Sequence, residues 1–105
     1  MFSTLVSCDE LAKHLGDPEW RVVDCRHLLS DVGYGAVAYA AGHLPGAVFM
    51  HLDRDLSGPM TGKNGRHPLP EIAAFARKMG ECGITPDTQV VAYDNEASAF
   101  ASRLW

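Results

Sequence analysis

The residues best placed for chemistry are Asp94 and Glu96, in the string Asp94-Asn95-Glu96 that follows the apolar run Gln89-Val90-Val91-Ala92-Tyr93. A run of this kind, rich in β-branched residues, reads as a buried strand. In open α/β sheets, ligands gather beyond the carboxyl ends of the strands. There a loop feeds the next helix, and backbone N–H groups can face an anion. A catalytic loop at this place normally carries a nucleophile. This one carries two acids instead. The cysteines lie elsewhere, at Cys8, Cys25 and Cys82. Their number is odd and no Cys-x-x-Cys occurs, so neither a disulfide framework nor a zinc knuckle is indicated. Each reads as a small buried or half-buried hydrophobe. Cys25, at a strand end, is the best placed of them to react. No run of small residues and N–H donors follows it to hold a thiolate. Histidines at ligand spacing on one element are also missing, which argues against a metal site, and His14 and His51 read as surface or half-buried residues.

The elements that must position these groups are legible in order. Ser7-Cys8-Asp9-Glu10 is a capping box that starts a short helix carrying Leu11 and Leu15, closed by Gly16. Arg21–Cys25 is a strand. A loop from Arg26 to Gly35 leads into an alanine-rich patch over Ala36–Ala41. Ala47–Met50 is a second short strand after a Pro-Gly turn. Leu52 to Pro70 is a long loop, polar and rich in Gly and Pro, of the kind that is usually functional in a small domain. Pro70 suits the first position of a helix whose apolar stripe is Ile72, Phe75, Ala76 and Met79, ended by Gly83. The strand Gln89–Tyr93 follows, and an amphipathic helix starts at Ser98. Single helices between strands predict a largely parallel sheet covered on both faces.

The chain has 105 residues, enough for one domain. Its net charge of −4 with scattered basic residues excludes a nucleic-acid surface. No apolar run approaches the roughly 18–20 residues of a membrane span. The start, Met1-Phe2-Ser3-Thr4, lacks the basic and apolar regions of a signal peptide, so a cytoplasmic protein is expected.

The most specific string is Tyr39-Ala40-Ala41-Gly42-His43-Leu44-Pro45-Gly46-Ala47: a helix end at Gly42, a Pro-Gly turn and entry into a strand. His43 on such a turn can cap backbone carbonyls. With Val22-Val23-Asp24-Cys25-Arg26 before it, this resembles the rhodanese-like sulfurtransferases. In that family an Asp-x-Arg follows the first main strand, and Tyr-x-x-Gly-His-Ile-Pro-Gly-Ala comes later. Asp24, Arg26, His43, Pro45 and Gly46 fit those motifs, and Leu44 replaces the usual Ile. Gly65–Pro70 and Val90–Asp94 resemble the amino-terminal repeat of the two-domain thiosulfate and 3-mercaptopyruvate enzymes.

The resemblance implies a rhodanese-like three-layer fold, mostly parallel sheet with helices on both faces, over residues 1–105. It also implies a domain truncated before its last strand and helix, since the family continues past the helix at Ser98. Asp94 stands where the catalytic repeat has the cysteine that becomes a persulfide. No catalytic residue is therefore expected in this chain, and neither a metal nor a cofactor. Asp53 and His67 match an Asp and a His held to assist sulfur release in the mercaptopyruvate enzymes, although Asp55 lies close to Asp53. His67 alternatively pins the loop ahead of Pro68. Arg66 attracts small anions or is a surface charge.

The expected role is the non-catalytic part of a sulfurtransferase. Its expected partners are a second rhodanese-like repeat or a second copy of the chain, and a small sulfur-donor anion, with neither nucleic acid nor membrane. The alternative is a free-standing inactive binding or regulatory module on the same fold. A cysteine phosphatase of the related fold is excluded, because Asp94 and Phe100 occupy the places of its cysteine and arginine.

Overall fold

The structure is a computed structural model and describes residues 4–59 and 68–105. Its elements run α1 (Cys8–Ala12), β1 (Trp20–Asp24), α2 (Tyr34–Ala41), β2 (Val48–Phe49), α3 (Ile72–Glu81), β3 (Gln89–Tyr93) and α4 (Ala101–Leu104). The three strands form one parallel sheet in the order β2-β1-β3. β1 pairs with β3 over its whole length, from Trp20 opposite Gln89 to Asp24 opposite Tyr93. With β2 it pairs at Val23–Val48 and Asp24–Phe49. As the central strand, β1 takes the most buried positions, and Val22, Val23 and Asp24 are buried. Parallel strands all end at one side of the sheet, so the loops after Asp24, Phe49 and Tyr93 meet there.

The element order agrees with the sequence reading; several boundaries shift. The Ser7 hydroxyl accepts the Glu10 N–H at 3.2 Å and caps α1. The helix then stops at Ala12, and turns carry the chain to Gly16, at φ +89°. Tyr34 and Gly35 belong to α2. Gly35 is required there, because a Cβ would collide with the Arg26 carbonyl and come within 2.9 Å of the Phe49 ring. α3 begins at Ile72 with Glu71 as the extended N-cap, leaving Pro70 outside. Phe75 and Met79 of its stripe pack on the core, whereas Ile72 at the open end is 86 % exposed.

The core joins Val23, Cys25, Met50, Leu52, Leu56 and Ala101. Two of these come from the start of the segment read as a polar loop: Leu52 and Leu56 are buried there and tie the chain after β2 to the sheet. His51 is buried too, contrary to the expected surface or half-buried place, because the backbone accepts and donates at both of its ring nitrogens. Among the cysteines, Cys8 is exposed and not the buried hydrophobe expected, since α1 buries none of its residues. Among the described residues, no helix is long and apolar enough to cross a membrane.

Candidate functional site at the carboxyl edge of the sheet

Asp24 ends β1 with its side chain completely buried. A lone buried carboxylate is costly, and this one is fully partnered. The Arg26 guanidinium grips it through Nε, at 3.0 Å to Oδ2, and Nη2, at 2.8 Å to Oδ2. The Arg26 N–H donates to Oδ1 at 2.9 Å, and the Tyr93 hydroxyl donates to Oδ2 at 2.9 Å. Arg26 also reaches the Gly42 carbonyl at 2.6 Å, and Tyr93 accepts the Leu44 N–H at 3.2 Å. The Asp-x-Arg motif and the Gly42–Gly46 turn are thus one network, closed through the last residue of β3. On the same turn, Nδ1–H of His43 donates to the Tyr39 carbonyl at 2.7 Å and its ring stacks on Tyr39. The Tyr39 hydroxyl donates to the Ala47 carbonyl. Pro45 and the left-handed Gly46 (φ +76°) then turn the chain into β2.

Directly after Tyr93 the chain wraps around the Asp94 carboxylate. Oδ1 accepts the N–H groups of Glu96 and Ser98, both at 2.9 Å. Oδ2 accepts those of Phe100 and Ala101, both at 2.7 Å. Ala97 and Ser98 take positive φ, 49° and 73°, so that successive N–H groups point inward. The helix expected from Ser98 therefore starts only at Ala101, since a left-handed residue cannot continue a right-handed helix. Partial burial works to raise the Asp94 pKa; the four backbone donors outweigh it and hold the carboxyl below its ordinary 3.8. In charge terms the loop is an anion nest filled by its own side chain. Its inward N–H groups are already committed.

Cys25 lies close to this nest, buried, with the Asp24 and Asp94 carboxylates both acting against its ionisation. Burial first, and then the Asp24 and Asp94 carboxylates, push its thiol up to about 12. At neutral pH it carries essentially no thiolate. Its N–H donates to the Tyr93 carbonyl at 2.8 Å and extends the β1–β3 pairing by one bond.

The loops after the three strands are locked together by His27, which the sequence reading passed over, and by residues to which it gave no such role. The His27 N–H donates to Asn95 Oδ1 at 3.0 Å, joining the loop after β1 to the Asp94 loop. The buried His27 ring lies edge-on between His51 and Phe100, with centroids 5.3 Å from each. His51 Nε2 is 2.8 Å from the Val32 carbonyl, and Nδ1 is 3.0 Å from the Asp53 nitrogen. Asp55 Oδ2 accepts the His51 N–H at 2.8 Å, and Oδ1 is 3.5 Å from Lys78 Nζ. The two neighbouring acids are thereby distinguished: Asp55 braces the loop, and Asp53 is exposed. Arg66 and His67 lie outside the described residues. Among those described, no group of three His, Cys, Asp or Glu side chains is placed to hold a metal ion. The one available signal for His27 and Asn95 was their place just past a strand end.

A parallel α/β sheet, an Asp–Arg pair fastening a Gly-His-Leu-Pro-Gly turn, and an anion-cradling loop after β3 define the class of domain. The sequence matches the family model described as Rhodanese-like domain over residues 7–105, and the chain belongs to that family. It is 47 % identical over 102 residues to the "Probable 3-mercaptopyruvate sulfurtransferase" of Pseudomonas aeruginosa, covering 96 % of this chain and 36 % of that protein. It is 35 % identical over 104 residues to the 3-mercaptopyruvate sulfurtransferase of Escherichia coli, covering 95 % of this chain and 35 % of that one. Among solved structures, the 3-mercaptopyruvate sulfurtransferase from Leishmania major superposes with a TM-score of 0.86 at 35 % identity. It covers 95 % of this chain and 27 % of that one. The chain thus spans about a third of the length of the relatives it matches.

Proposed function

We propose that this chain is the non-catalytic, amino-terminal part of a sulfurtransferase. It would form one wall of a cleft in which a second rhodanese-like repeat carries sulfur as a cysteine persulfide. The observation that carries the reading is the state of the Asp94 loop. A persulfide must sit where N–H donors can hold its charge; here a carboxylate, which cannot accept sulfur, holds all four. The same loop leaves little attraction for thiosulfate or 3-mercaptopyruvate, both anions, with Glu96 adjoining. Asp53 is the proposed contribution to the cleft. It is exposed on a braced loop, where a carboxylate can work with His67 in moving protons to or from the acceptor. Arg66, next to His67, is the proposed attractor for the donor anion.

The test is complementation. The isolated chain should transfer no sulfur from either donor to cyanide. Mixed with the remaining two-thirds of the Pseudomonas aeruginosa relative, it should support transfer, and Asp53→Asn should lower that turnover about a hundredfold, as loss of a proton-transfer group does. Transfer by the isolated chain would overturn the reading. Unchanged turnover with Asp53→Asn would remove that residue from the reaction.

A further inference from the structure

The geometry points to His51 as the positioning residue that fixes Asp53 in place. This inference rests on the reading of Asp53 as a cleft residue, but its structural content can be tested without any turnover.

The argument begins with the ring. A backbone carbonyl can only accept, so at the Val32 contact of 2.8 Å Nε2 must carry the proton. A backbone N–H can only donate, so at the Asp53 contact of 3.0 Å Nδ1 must be bare. Only the neutral Nε2–H tautomer satisfies both partners. His51 is 4 % exposed, so water cannot replace either contact without opening the loop. His27 stands edge-on against one side at 5.3 Å and Phe49 at 6.2 Å, which leaves the imidazole little freedom to turn.

The anchoring therefore runs in one direction. Val32 belongs to the loop after β1, and Leu52 and Leu56 hold the chain on either side of Asp53 in the core. The Asp53 backbone lies between those two anchors, and the bond to Nδ1 ties its N–H to the ring. Asp55 fixes the His51 main chain from the other side, through the 2.8 Å bond to the His51 N–H. A histidine here does what neither a hydrophobe nor a simple hydroxyl could: its two nitrogens, flanking Cε1 in a rigid ring and directed apart, bridge two loops.

The test uses amide hydrogen exchange and long-range proton–nitrogen correlation on the whole chain. The correlation spectrum of the unsubstituted protein should show His51 with the proton on Nε2; a proton on Nδ1 would overturn the assignment. His51→Phe should speed exchange at the Asp53 amide about tenfold, the effect of one lost buried bond. The central-strand amides of Val22 and Val23 serve as the reference for global stability. His51→Asn places an amide oxygen near the position of Nδ1 and should bring Asp53 exchange back to within about threefold of the original. His51→Gln, which reaches only the Nε2 position, should not. Equal acceleration at Asp53 and at the strand amides in all three variants would reduce His51 to general packing. An unchanged Asp53 amide in His51→Phe would refute the inference outright. If His51→Phe does not fold, the contrast between the Asn and Gln variants decides. The catalytic reading of Asp53 stands or falls separately, on the complementation assay.

Discussion

Replacing Asp94 by Asn is the sharpest test of how the loop after β3 is built. The change is nearly isosteric, so a loss of stability reports hydrogen bonding and charge. In the native loop each carboxylate oxygen accepts two N–H groups, at 2.9 Å on Oδ1 and 2.7 Å on Oδ2. Asparagine keeps one acceptor oxygen and turns an NH2 group, itself a donor, toward the other two. Removing a single helix-capping acceptor costs about 1 kcal/mol, and bonds to a charged group are worth roughly 1.5–3 kcal/mol each. Two bonds lost from a half-exposed loop that water can partly enter give an expected cost of about 2–4 kcal/mol. A domain of 105 residues has a stability on the order of 10 kcal/mol, so the variant should still fold.

The pH dependence provides an independent check on the same residue. The folded pKa of Asp94 lies below its ordinary 3.8. Its contribution is therefore fully present above pH 3.8 and is lost as the pH falls from there through the folded value. Urea unfolding followed by tryptophan fluorescence and circular dichroism should show the two proteins furthest apart at neutral pH and converging in acid. A difference below about 0.5 kcal/mol at neutral pH, with no convergence in acid, would refute the account of the loop.

Two further predictions concern the neighbouring groups. Arg26→Met leaves the Asp24 carboxylate buried without its cation and severs the link to Gly42, so unfolding measurements should show a loss of about 3–5 kcal/mol; a loss under about 1 kcal/mol would contradict the network described. The Cys25 thiol, pushed up to about 12 by burial and then by the two carboxylates, ionises near its ordinary 9.0 only in the unfolded chain. The Cys25 contribution should hold below pH 9 and fall by up to about 4 kcal/mol between pH 9 and 12, while Tyr93, also raised by burial, adds to the decline above pH 10; Cys25→Ala should remove the part that begins at pH 9.

The strand and helix order could be read from the sequence because it rests on local pattern: β-branched runs at Val22–Val23 and Val90–Val91, and a helical apolar stripe through Phe75 and Met79. The family motifs could be read for a related reason, since Asp24, Arg26 and the Gly42–Gly46 turn form one network whose members are close in sequence or fixed in order. What the sequence concealed depends on distant partners. Leu52 and Leu56 carry no periodicity, and only the packed sheet shows that they are core. His51 read as a surface or half-buried residue because its partners are backbone groups of Val32 and Asp53, which no residue type reveals. At Asp94 the absence of a nucleophile was visible. The destination of its oxygens was not, because it requires positive φ at Ala97 and Ser98, which their residue types disfavour.

We propose that Asp94 occupies the family's sulfur-carrying place with a group that cannot carry sulfur, and that Cys25 does not take over. Intact-mass spectrometry of the chain after incubation with thiosulfate or 3-mercaptopyruvate tests this most directly, with peptide mapping of Cys8, Cys25 and Cys82. No protein should gain the mass of a sulfur atom. A persulfide on Cys25 would contradict the claim.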